Sequence, residues 1–423
     1  MDSLYHIIIG AALLAASPLI ALRMAINSGF RRDICARLQA SRLAPNLPGC
    51  IWVHASSVGE VRVAKILIQA IRAKNPNEAI ALSTFSGTGF ALAEEEGLSP
   101  VFRLPPDFPY WMNPVFDKLD PSIVVLIEAE LWPGLLRECK RRKIPTLVVN
   151  GRMSRRSQKR YQQFRRFFLW ITEAVTLFSM RGALDRDHLL KLGIDERRTQ
   201  VTGNIKFDAS APNPGDALTG KSSHPPTVVF GSTRPGEEKI ALEAIRRLKK
   251  DLPDLICVIA PRHMQRCPEV ERLIEENGLS FQRHSERRDN ADGEQPSLIL
   301  VDQLGALNAY YRQATVAFVG GGMTEGFGGH NILEPAAHHL PVLFGRHMNN
   351  FAEEARLLKE SGGGIELADP FELAPTLHRL LTHPEELKER GDRAAKTIAE
   401  NRGALARNLE LIEKFRSAPG SQR

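Results

Sequence analysis

Short apolar runs alternate with stretches of helical spacing over the first half of the chain. The apolar runs are CIWVHA, AIALSTF, IVVLIE, TLVVNG and AVTLFSM, and helical stretches such as VRVAKILIQAIRA and LWPGLLRECKRR lie between them. Strands that read as near-continuous apolar runs are typical of parallel sheets covered on both faces, and the alternation with helices indicates βαβ units. The pattern therefore predicts a doubly wound α/β domain over residues 31–209.

The same rhythm begins again after a polar segment rich in Pro, Gly and Ser. This segment, SAPNPGDALTGKSSHPP, covers residues 210–226 and is predicted to be a linker. After it come TVVFGS, EEKIALEAIRRLKK, LICVIAPR, SLILVD, ATVAFVGG and LPVLFG. These runs predict a second doubly wound, Rossmann-like domain over residues 227–423. We expect the two domains to face a cleft, with ligands at the carboxyl ends of the strands.

The amino terminus contains one long apolar run, unlike the short runs of the two predicted domains. The segment SLYHIIIGAALLAASPLIAL, from Ser3 to Leu22, contains no Lys, Arg, Asp or Glu, and about 20 such residues can cross a bilayer. Basic residues follow it, which places the rest of the chain on the cytoplasmic side. We predict a membrane anchor helix over residues 1–30. A helix lying in the inner leaflet is an alternative, because Pro18 and His6 weaken a span, and a buried helix of a soluble domain is another.

The charge and the cysteine content of the chain exclude some classes of protein but do not identify a ligand. The net charge of +7 and the pI near 9.2 indicate a surface that attracts nucleic acid, nucleotide phosphates or an acidic membrane. The five cysteines are scattered and lack CxxC spacing, and no HExxH motif occurs, so we expect neither a disulfide framework nor a metal site. These features leave a basic protein of a reducing compartment.

One basic segment is interleaved with aromatic residues. GRMSRRSQKRYQQFRRFF, residues 151–168, would place Phe164, Phe167 and Phe168 near one side of a single helix. Such a helix is either a solvated basic surface or a contact for anionic lipid phosphates. No recognition signature for nucleic acid accompanies it, and nucleic acid is not an expected partner.

A glycine-rich turn lies in the second predicted domain. GGGMTEGFGGHNILEPAAHHLPVLFG runs from Gly320 to Gly345, with a helix expected to begin near Asn331 and to carry Glu334 in its first turn. Glycines let the backbone approach a phosphate, helix amides favour the anion, and Glu334 can accept bonds from ribose hydroxyls. The turn suits a nucleotide-sugar, although a plain strand–turn–helix connection would look similar. GSTRPGEE (231–238) and APRH (260–263) offer further anion-binding groups at strand ends.

Carboxylates follow two predicted strands of the first domain. Glu60, in the turn HASSVGE, is a candidate general base, or else a helix-capping partner. Glu128 and Glu130 end the run IVVLIEAE, where strand alternation would point both the same way. Lys206, in TGNIKFDAS, could neutralise a carboxylate or a phosphate. These residues are candidates for an acid–base site, although solvated loop carboxylates and an exposed Lys206 would fit the same pattern.

Seven of these motifs, in the same order and at similar spacing, resemble those of the 3-deoxy-D-manno-octulosonic acid (Kdo) transferases. They are HASSVGE, IEAELWPGLL, NGRMSRRSQKRY, GNIKFD, STRPGEE, APRH and GGHNILEPAAHHLPVLFG. The resemblance covers nearly the whole chain. It implies a GT-B glycosyltransferase with CMP-Kdo as donor, lipid A precursor as acceptor and no separate cofactor. It also implies a single amino-terminal anchor at the cytoplasmic face of the inner membrane, in contact with anionic lipids.

The resemblance also implies roles for individual residues. The catalytic base falls on Glu60, and groups that stabilise the transition state fall on Glu128 and Lys206. Contacts to CMP fall on Pro261, Arg262, Leu304, Gly305, Ala306, Asn331, Ile332, Leu333 and Glu334. Where the family commonly has Gly-Glu, this chain has Gly305-Ala306, so only a backbone contact is expected there. We expect inverting displacement without a metal ion, because cationic side chains and helix amides stabilise a leaving phosphate.

Two other functions fit part of the pattern. One is a different GT-B enzyme that uses a UDP-sugar, either a transferase or an epimerase; an epimerase would not need the apolar amino terminus. The other is a non-enzymatic protein that binds anionic lipid. Such a protein would not need Glu60 and the GGHNILE turn together.

Overall fold

The computed structural model describes residues 2–98, 100–128, 130–209, 225–286 and 297–417. The chain forms two compact units, one comprising Met1–Ala209 with Arg402–Arg423 and the other Ser210–Asn401. The predicted linker, residues 210–226, falls almost entirely outside the described residues.

Each unit is built on a parallel sheet of seven described strands. The first sheet contains β1 (Ile51–His54), β2 (Ile80–Thr84), β3 (Val101–Arg103), β4 (Ile123–Ile127), β5 (Thr146–Gly151), β6 (Leu177–Met180) and β7 (Thr199–Val201). The second contains β8 (Thr227–Thr233), β9 (Ile256–Pro261), β10 (Gln282–Arg283), β11 (Leu298–Leu300), β12 (Val316–Val319), β13 (Val342–Gly345) and β14 (Gly364–Leu367). The strand orders are β3-β2-β1-β4-β5-β6-β7 and β10-β11-β9-β8-β12-β13-β14.

Helices connect the strands in both units. The helices up to the end of the first sheet are α1 (Asp2–Ile26), α2 (Ser28–Leu38), α3 (Ala40–Leu43), α4 (Val58–Lys74), α5 (Gly87–Glu95), α6 (Pro109–Leu119), α7 (Pro133–Arg142), α8 (Arg155–Gln163), α9 (Arg165–Thr172), α10 (Ala183–Leu192) and α11 (Lys206–Ala209). Those that follow are α12 (Glu237–Asp251), α13 (Cys267–Glu276), α14 (Leu307–Gln313), α15 (Leu333–Ala337), α16 (Ala352–Ser361), α17 (Leu373–Thr382), α18 (Pro384–Glu400) and α19 (Ala404–Arg416).

Strand β4 shows why the apolar runs form a sheet buried on both faces. Its five residues are all buried. Val124 and Leu126 join one apolar cluster of the unit, whereas Ile123, Val125 and Ile127 join the other. Successive strand side chains point to opposite faces, so an uninterrupted apolar run needs a covering layer on each side. In the second unit, Val228 and Val229 likewise belong to different clusters. The α/β prediction with two doubly wound units is confirmed.

The carboxyl terminus differs from the predicted domain boundary. Residues 227–423 were assigned to the second domain, yet Arg402–Arg423 group with the first unit. The backbone N–H groups of Gly403 and Leu405 donate to the Asp208 carboxylate at 2.7 and 2.9 Å. Apolar side chains of α19, including Ile412, complete an apolar cluster of the first sheet. The local pattern predicts the helix but cannot show which core it covers.

The amino-terminal helix α1 contains an apolar stretch, Ile9–Ile26, of which none is buried. Among the described residues, this is the one helix with the length and composition needed to cross a membrane. Its amino-terminal end is held by Tyr5, whose hydroxyl donates to Asp107 at 2.7 Å. The structure thus supplies a candidate anchor attached to the first unit.

The basic segment of residues 151–168 does not form the single helix expected from the sequence. Helices α8 and α9 are separated at Phe164, which has φ −117° and ψ 37°. Phe168 is fully buried, whereas Phe164 and Phe167 are 64% and 41% exposed. The three rings therefore differ in burial, and only Phe168 joins the core of the first unit.

Candidate functional site

Glu60 lies in the first turn of α4, immediately after the central strand β1. The hydroxyl of Ser57 accepts from the Glu60 N–H at 3.4 Å and donates to Glu60 Oε1 at 2.8 Å. The Ser56 N–H donates to Glu60 Oε2 at 2.7 Å. Reciprocal bonds of this kind cap a helix. The capping interpretation of Glu60 is thus confirmed, and the same bonds fix its carboxyl group at the carboxyl edge of the sheet.

The surroundings of Glu60 disfavour its charged form. The residue is 8% exposed. Burial raises the pKa of Glu60 to about 8, and the nearby negative charges of Glu130 and Glu128 act in the same direction, against the hydrogen bonds from Ser56 and Ser57. A carboxyl group with a pKa near the working pH is well matched to accepting a proton during catalysis.

Glu128 and Glu130 lie near Glu60, in the segment that follows strand β4. Strand β4 ends at Ile127, and Glu128 adopts a left-handed conformation with φ 61°. Both glutamates therefore lie beyond the strand, and strand alternation, the reason given for their shared direction, does not apply to them. Trp132 Nε1 donates to Glu130 at 3.0 Å, and burial raises the pKa of Glu130. The side chain of Ser56 also bonds to Glu130, which connects the two glutamates.

Lys206 begins α11, beside the end of β5. Asn150 is the last residue but one of that strand, and its side-chain oxygen accepts from the Ile205 N–H at 3.0 Å. The side-chain oxygen of Asn204 accepts from the Lys206 N–H at 3.1 Å. Strands β1, β4 and β5 are neighbours, and the sheet order reverses between β1 and β4. The three first-unit candidates, Glu60, Glu128 and Lys206, therefore follow or adjoin adjacent strand ends at the position where open α/β sheets bind ligands.

A pocket of about 550 Å³ lies in the first unit, between α1 and the segment around Glu130. It combines aliphatic and aromatic side chains with acidic and basic ones. Its lining comprises Tyr5, Ile9, Leu13, Pro106, Asp107, Glu130, Leu131, Trp132, Pro133, Arg160 and Tyr161. The apolar candidate anchor and a carboxylate that influences Glu60 thus share one cavity.

The nucleotide-contact candidates of the second unit lie on one edge of its sheet. Pro261 ends β9 and Arg262 follows it, residues 304–306 lie between β11 and α14, and residues 331–334 lie between β12 and β13. The order β11-β9-β8-β12 makes these strands neighbours, and it reverses between β8 and β12. The structure therefore brings the three predicted segments to adjacent strand ends.

The individual residues differ in what they could offer a ligand. Ile332 and Leu333 are fully buried, so only their backbone groups could reach one, and the Leu333 N–H already donates to Asn331 Oδ1 at 3.1 Å. Asn331 Nδ2 donates to Glu334 at 2.9 Å. Leu304 is 80% exposed beside Gly305, whose φ is +86°. Helix α15 begins at Leu333, slightly later than expected, and has five residues.

The glycine-rich turn binds an internal carboxylate that the sequence analysis missed. Glu237 is fully buried at the start of α12. It accepts from the Gly321 N–H at 2.7 and 2.9 Å, from Met323 at 3.0 Å and from Arg234 at 2.9 Å. At these two positions of the turn, the expected amide contact with a phosphate is wrong, because Glu237 occupies the amides. The available signal was an acidic residue at the first helical position after GSTRPG.

Arg234 and His330 were also missed as members of the site. Arg234 Nε donates to His330 Nε2 at 3.0 Å, and Arg234 Nη1 donates to His263 Nε2 at 2.6 Å. The sequence placed Arg262 and His263 at this edge. It gave no reason to connect them with an arginine that follows another strand.

The two parallel seven-stranded sheets define a GT-B-like fold. In fold, the chain is similar to the UDP-GlcNAc 2-epimerase from Neisseria meningitidis bound to UDP-GlcNAc, with a TM-score of 0.56 and 13% identity over 86% of this chain and 99% of that one. Residues 32–209 match the family model described as 3-deoxy-D-manno-octulosonic-acid transferase.

Two relatives extend the match over most of the chain. The 3-deoxy-D-manno-octulosonic acid transferase of Haemophilus influenzae is 32% identical over 381 residues, which cover 87% of each chain. The protein of the same name from Chlamydophila psittaci is 28% identical over 425 residues, which cover 97% of this chain and 96% of the relative. The chain belongs to the Kdo transferase family and is a glycosyltransferase, as the sequence motifs predicted.

Proposed function

We propose that this protein transfers Kdo from CMP-Kdo to the lipid A precursor lipid IVA in lipopolysaccharide biosynthesis, by inverting displacement with Glu60 as base. The observation that carries the proposal is the buried carboxyl group of Glu60, whose pKa of about 8 and position at the sheet reversal suit proton abstraction. Membership of the Kdo transferase family supports the choice of sugar.

The chemistry needs one proton acceptor in the first unit. An acceptor hydroxyl oxygen forms a bond to the anomeric carbon while the bond from that carbon to the phosphate oxygen breaks. CMP departs with the bonding electron pair, and the hydroxyl proton passes to Glu60. A single displacement of this kind inverts the anomeric centre. Base assistance of this type contributes about 10²–10⁴-fold to the rate.

The remaining first-unit candidates adjust the charge around that step. In this proposal Glu128 and Lys206 stabilise the transition state, as the family resemblance implies. The negative charge of Glu128 already raises the pKa of Glu60. An ammonium group at Lys206 would offset negative charge as it develops on the phosphate.

The second unit would hold the donor. Arg262, with Pro261, would contact the nucleotide, residues 304–306 would offer backbone groups, and Asn331 and Glu334 would bind polar groups of the nucleoside. Ala306 has no side chain that could replace the acidic group common at this position. Arginine guanidinium groups stabilise a leaving phosphate directly, so the proposed reaction proceeds without a divalent ion.

The acceptor side of the proposal rests on α1 and its neighbours. The pocket that joins Ile9 and Leu13 to Glu130 suits an acceptor with an apolar tail and a polar sugar. Beside α1, the Phe167 ring lies 6.2 Å from that of Tyr5, and the basic side chains of α8 and α9 are exposed. We propose a single anchor in the inner membrane, with this basic and aromatic surface against anionic lipids of the cytoplasmic face.

The test is the mass of the lipid product. Detergent-solubilised protein would receive lipid IVA, EDTA and either freshly prepared, preformed CMP-Kdo or UDP-GlcNAc. We expect the lipid to gain one or more Kdo residues with CMP-Kdo, and nothing with UDP-GlcNAc. An unchanged lipid with CMP-Kdo would contradict the proposed donor and acceptor. A product that forms only without EDTA would contradict metal independence.

A further inference from the structure

Arg234 lies where the strand order of the second sheet reverses. It directly follows β8, and the adjacent strand β12 leads into the glycine-rich turn. The Arg262 N–H donates to the Thr233 carbonyl oxygen at 3.0 Å, which ties the end of β9 to the same point. Open α/β sheets bind their ligands at such a reversal, so a cationic side chain here lies on the ligand-binding edge.

Two neutral imidazoles position this side chain. A guanidinium group has only donors, so the Nε2 atoms of His263 and His330 accept its hydrogen bonds and each imidazole carries its proton on Nδ1. The Phe327 ring centroid lies 4.9 Å from the guanidinium carbon. These contacts orient the Arg234 guanidinium at this edge of the sheet.

The amides of the glycine-rich turn cannot supply all the charge that an anionic ligand requires. Glu237 already accepts from Gly321 and Met323. Cationic side chains concentrate nearby, since burial and then the charges of Arg234, Arg262 and Arg266 lower the pKa of His263. Side chains therefore supply part of the positive potential at this edge.

We propose that Arg234, positioned by His263 and His330, binds an anionic oxygen group of the donor, either the nucleotide phosphate or the sugar carboxylate. The inference rests on the proposed function, because CMP-Kdo carries both groups. His263 follows the predicted contact Arg262, and His330 precedes Asn331, so Arg234 connects two donor-contact segments. A guanidinium fork matches either anion with two parallel hydrogen bonds.

Donor binding in the full-length protein tests this role. Calorimetry with CMP and the KM for CMP-Kdo would be compared between wild type, Arg234→Gln and Arg234→Lys. Arg247→Gln is the matched control, because it removes the same charge from an exposed residue paired with Glu243. If Arg234 binds the phosphate, Arg234→Gln weakens CMP binding at least about 10-fold. If it binds the carboxylate, CMP affinity stays unchanged while the KM for CMP-Kdo rises by a similar factor.

The imidazoles should act through Arg234. His263→Ala should raise the same constant that Arg234→Gln raises, whether the dissociation constant for CMP or the KM for CMP-Kdo, and should leave kcat within about two-fold of wild type. His263→Gln should recover most of the lost binding, because its amide oxygen still accepts a hydrogen bond. Equal effects of the alanine and glutamine variants would contradict positioning by His263. Arg234→Lys keeps the charge and should fall between wild type and Arg234→Gln.

The same data separate this inference from the proposed function. Wild-type protein that binds neither CMP nor CMP-Kdo would overturn both. Wild type that binds, together with an Arg234→Gln variant of unchanged CMP affinity and unchanged KM, would overturn the role of Arg234 alone.

Discussion

The two units place a buried glutamate at equivalent positions, yet they surround it differently. Glu60 follows β1 and Glu237 follows β8, each in the first turn of the next helix. Glu237 accepts from the backbone N–H groups of Gly321, Met323 and Arg234. Glu60 accepts one backbone N–H and one hydroxyl, and faces the charges of Glu130 and Glu128. Burial raises the pKa of both carboxyl groups. The comparison teaches that backbone amides tie Glu237 to the glycine-rich turn, whereas the added negative charges around Glu60 suit the proton-accepting role proposed for it.

Replacing Glu60 should have the largest effect on activity. Glu60→Gln keeps an oxygen that can accept from Ser56 but cannot take up a proton, so kcat should fall by about 10²–10⁴-fold. Release of CMP in the presence of acceptor would measure it. Glu95→Gln, an exposed change on α5, is the control and should leave kcat unchanged. A Glu60→Gln variant of normal kcat would remove the functional difference between the two glutamates.

The stability of the first unit should depend on pH through Glu60. Its folded pKa of about 8 lies above the ordinary 4.5, so between these values the folded state keeps a proton that the unfolded state releases. The contribution to stability is therefore present at acid pH and is lost as pH rises, on the order of 1.4 kcal/mol per pH unit. Glu60→Gln should gain stability relative to wild type between pH 5 and 8.

Tryptophan fluorescence suits this measurement, because all four tryptophans, Trp52, Trp111, Trp132 and Trp170, lie in the first unit. Urea unfolding curves of both proteins at several pH values would give the difference. A constant difference between them would show that Glu60 is ionised normally in the folded protein.

Replacing Glu237 should affect stability in the other unit. Glu237→Gln turns one acceptor oxygen into a donor opposite backbone N–H groups, and an unsatisfied buried group of this kind costs about 1–3 kcal/mol. Hydrogen exchange in the segment around Gly321 should accelerate, while the tryptophan transition stays in place. The exposed Glu243→Gln on the same helix is the control. Unchanged exchange around Gly321 would show that the carboxylate does not hold the turn.

A smaller effect is expected from Glu130. Its negative charge raises the pKa of Glu60, and Glu130→Gln removes that charge while its amide oxygen can still accept from Trp132. The apparent pKa of kcat/KM should therefore fall, by about one pH unit for a close like charge. Comparison of the pH profiles of the variant and wild type would show it. An unshifted profile would exclude coupling between the two carboxyl groups.

Local patterns predicted the central strands and the edge on which the candidates lie, because buried parallel strands carry uninterrupted apolar runs. They did not predict the short strands β3, β7, β10 and β14, and β10 has only two residues. The same limit applies to α19, whose amino-terminal amides bond to Asp208 about half a chain away.

For the candidate site, too, the sequence predicted individual residues but not the contacts between distant segments. Family motifs gave Glu60, Glu128 and Lys206, but the left-handed conformation of Glu128 leaves no periodic signal in the sequence. Glu237 and the glycine-rich turn are 84 positions apart, so the sequence could show glycines without showing what occupies their amides. The link from Arg234 to His263 and His330 was hidden for the same reason.

The dependence of kcat/KM on pH for wild type and Glu60→Gln tests the central claim most directly. If the ionised form of a buried Glu60 is the base, wild-type kcat/KM rises with pH and levels off above about 8, and the residual activity of Glu60→Gln lacks that rise. A wild-type profile already level above pH 5, or the same rise in both proteins, would contradict it.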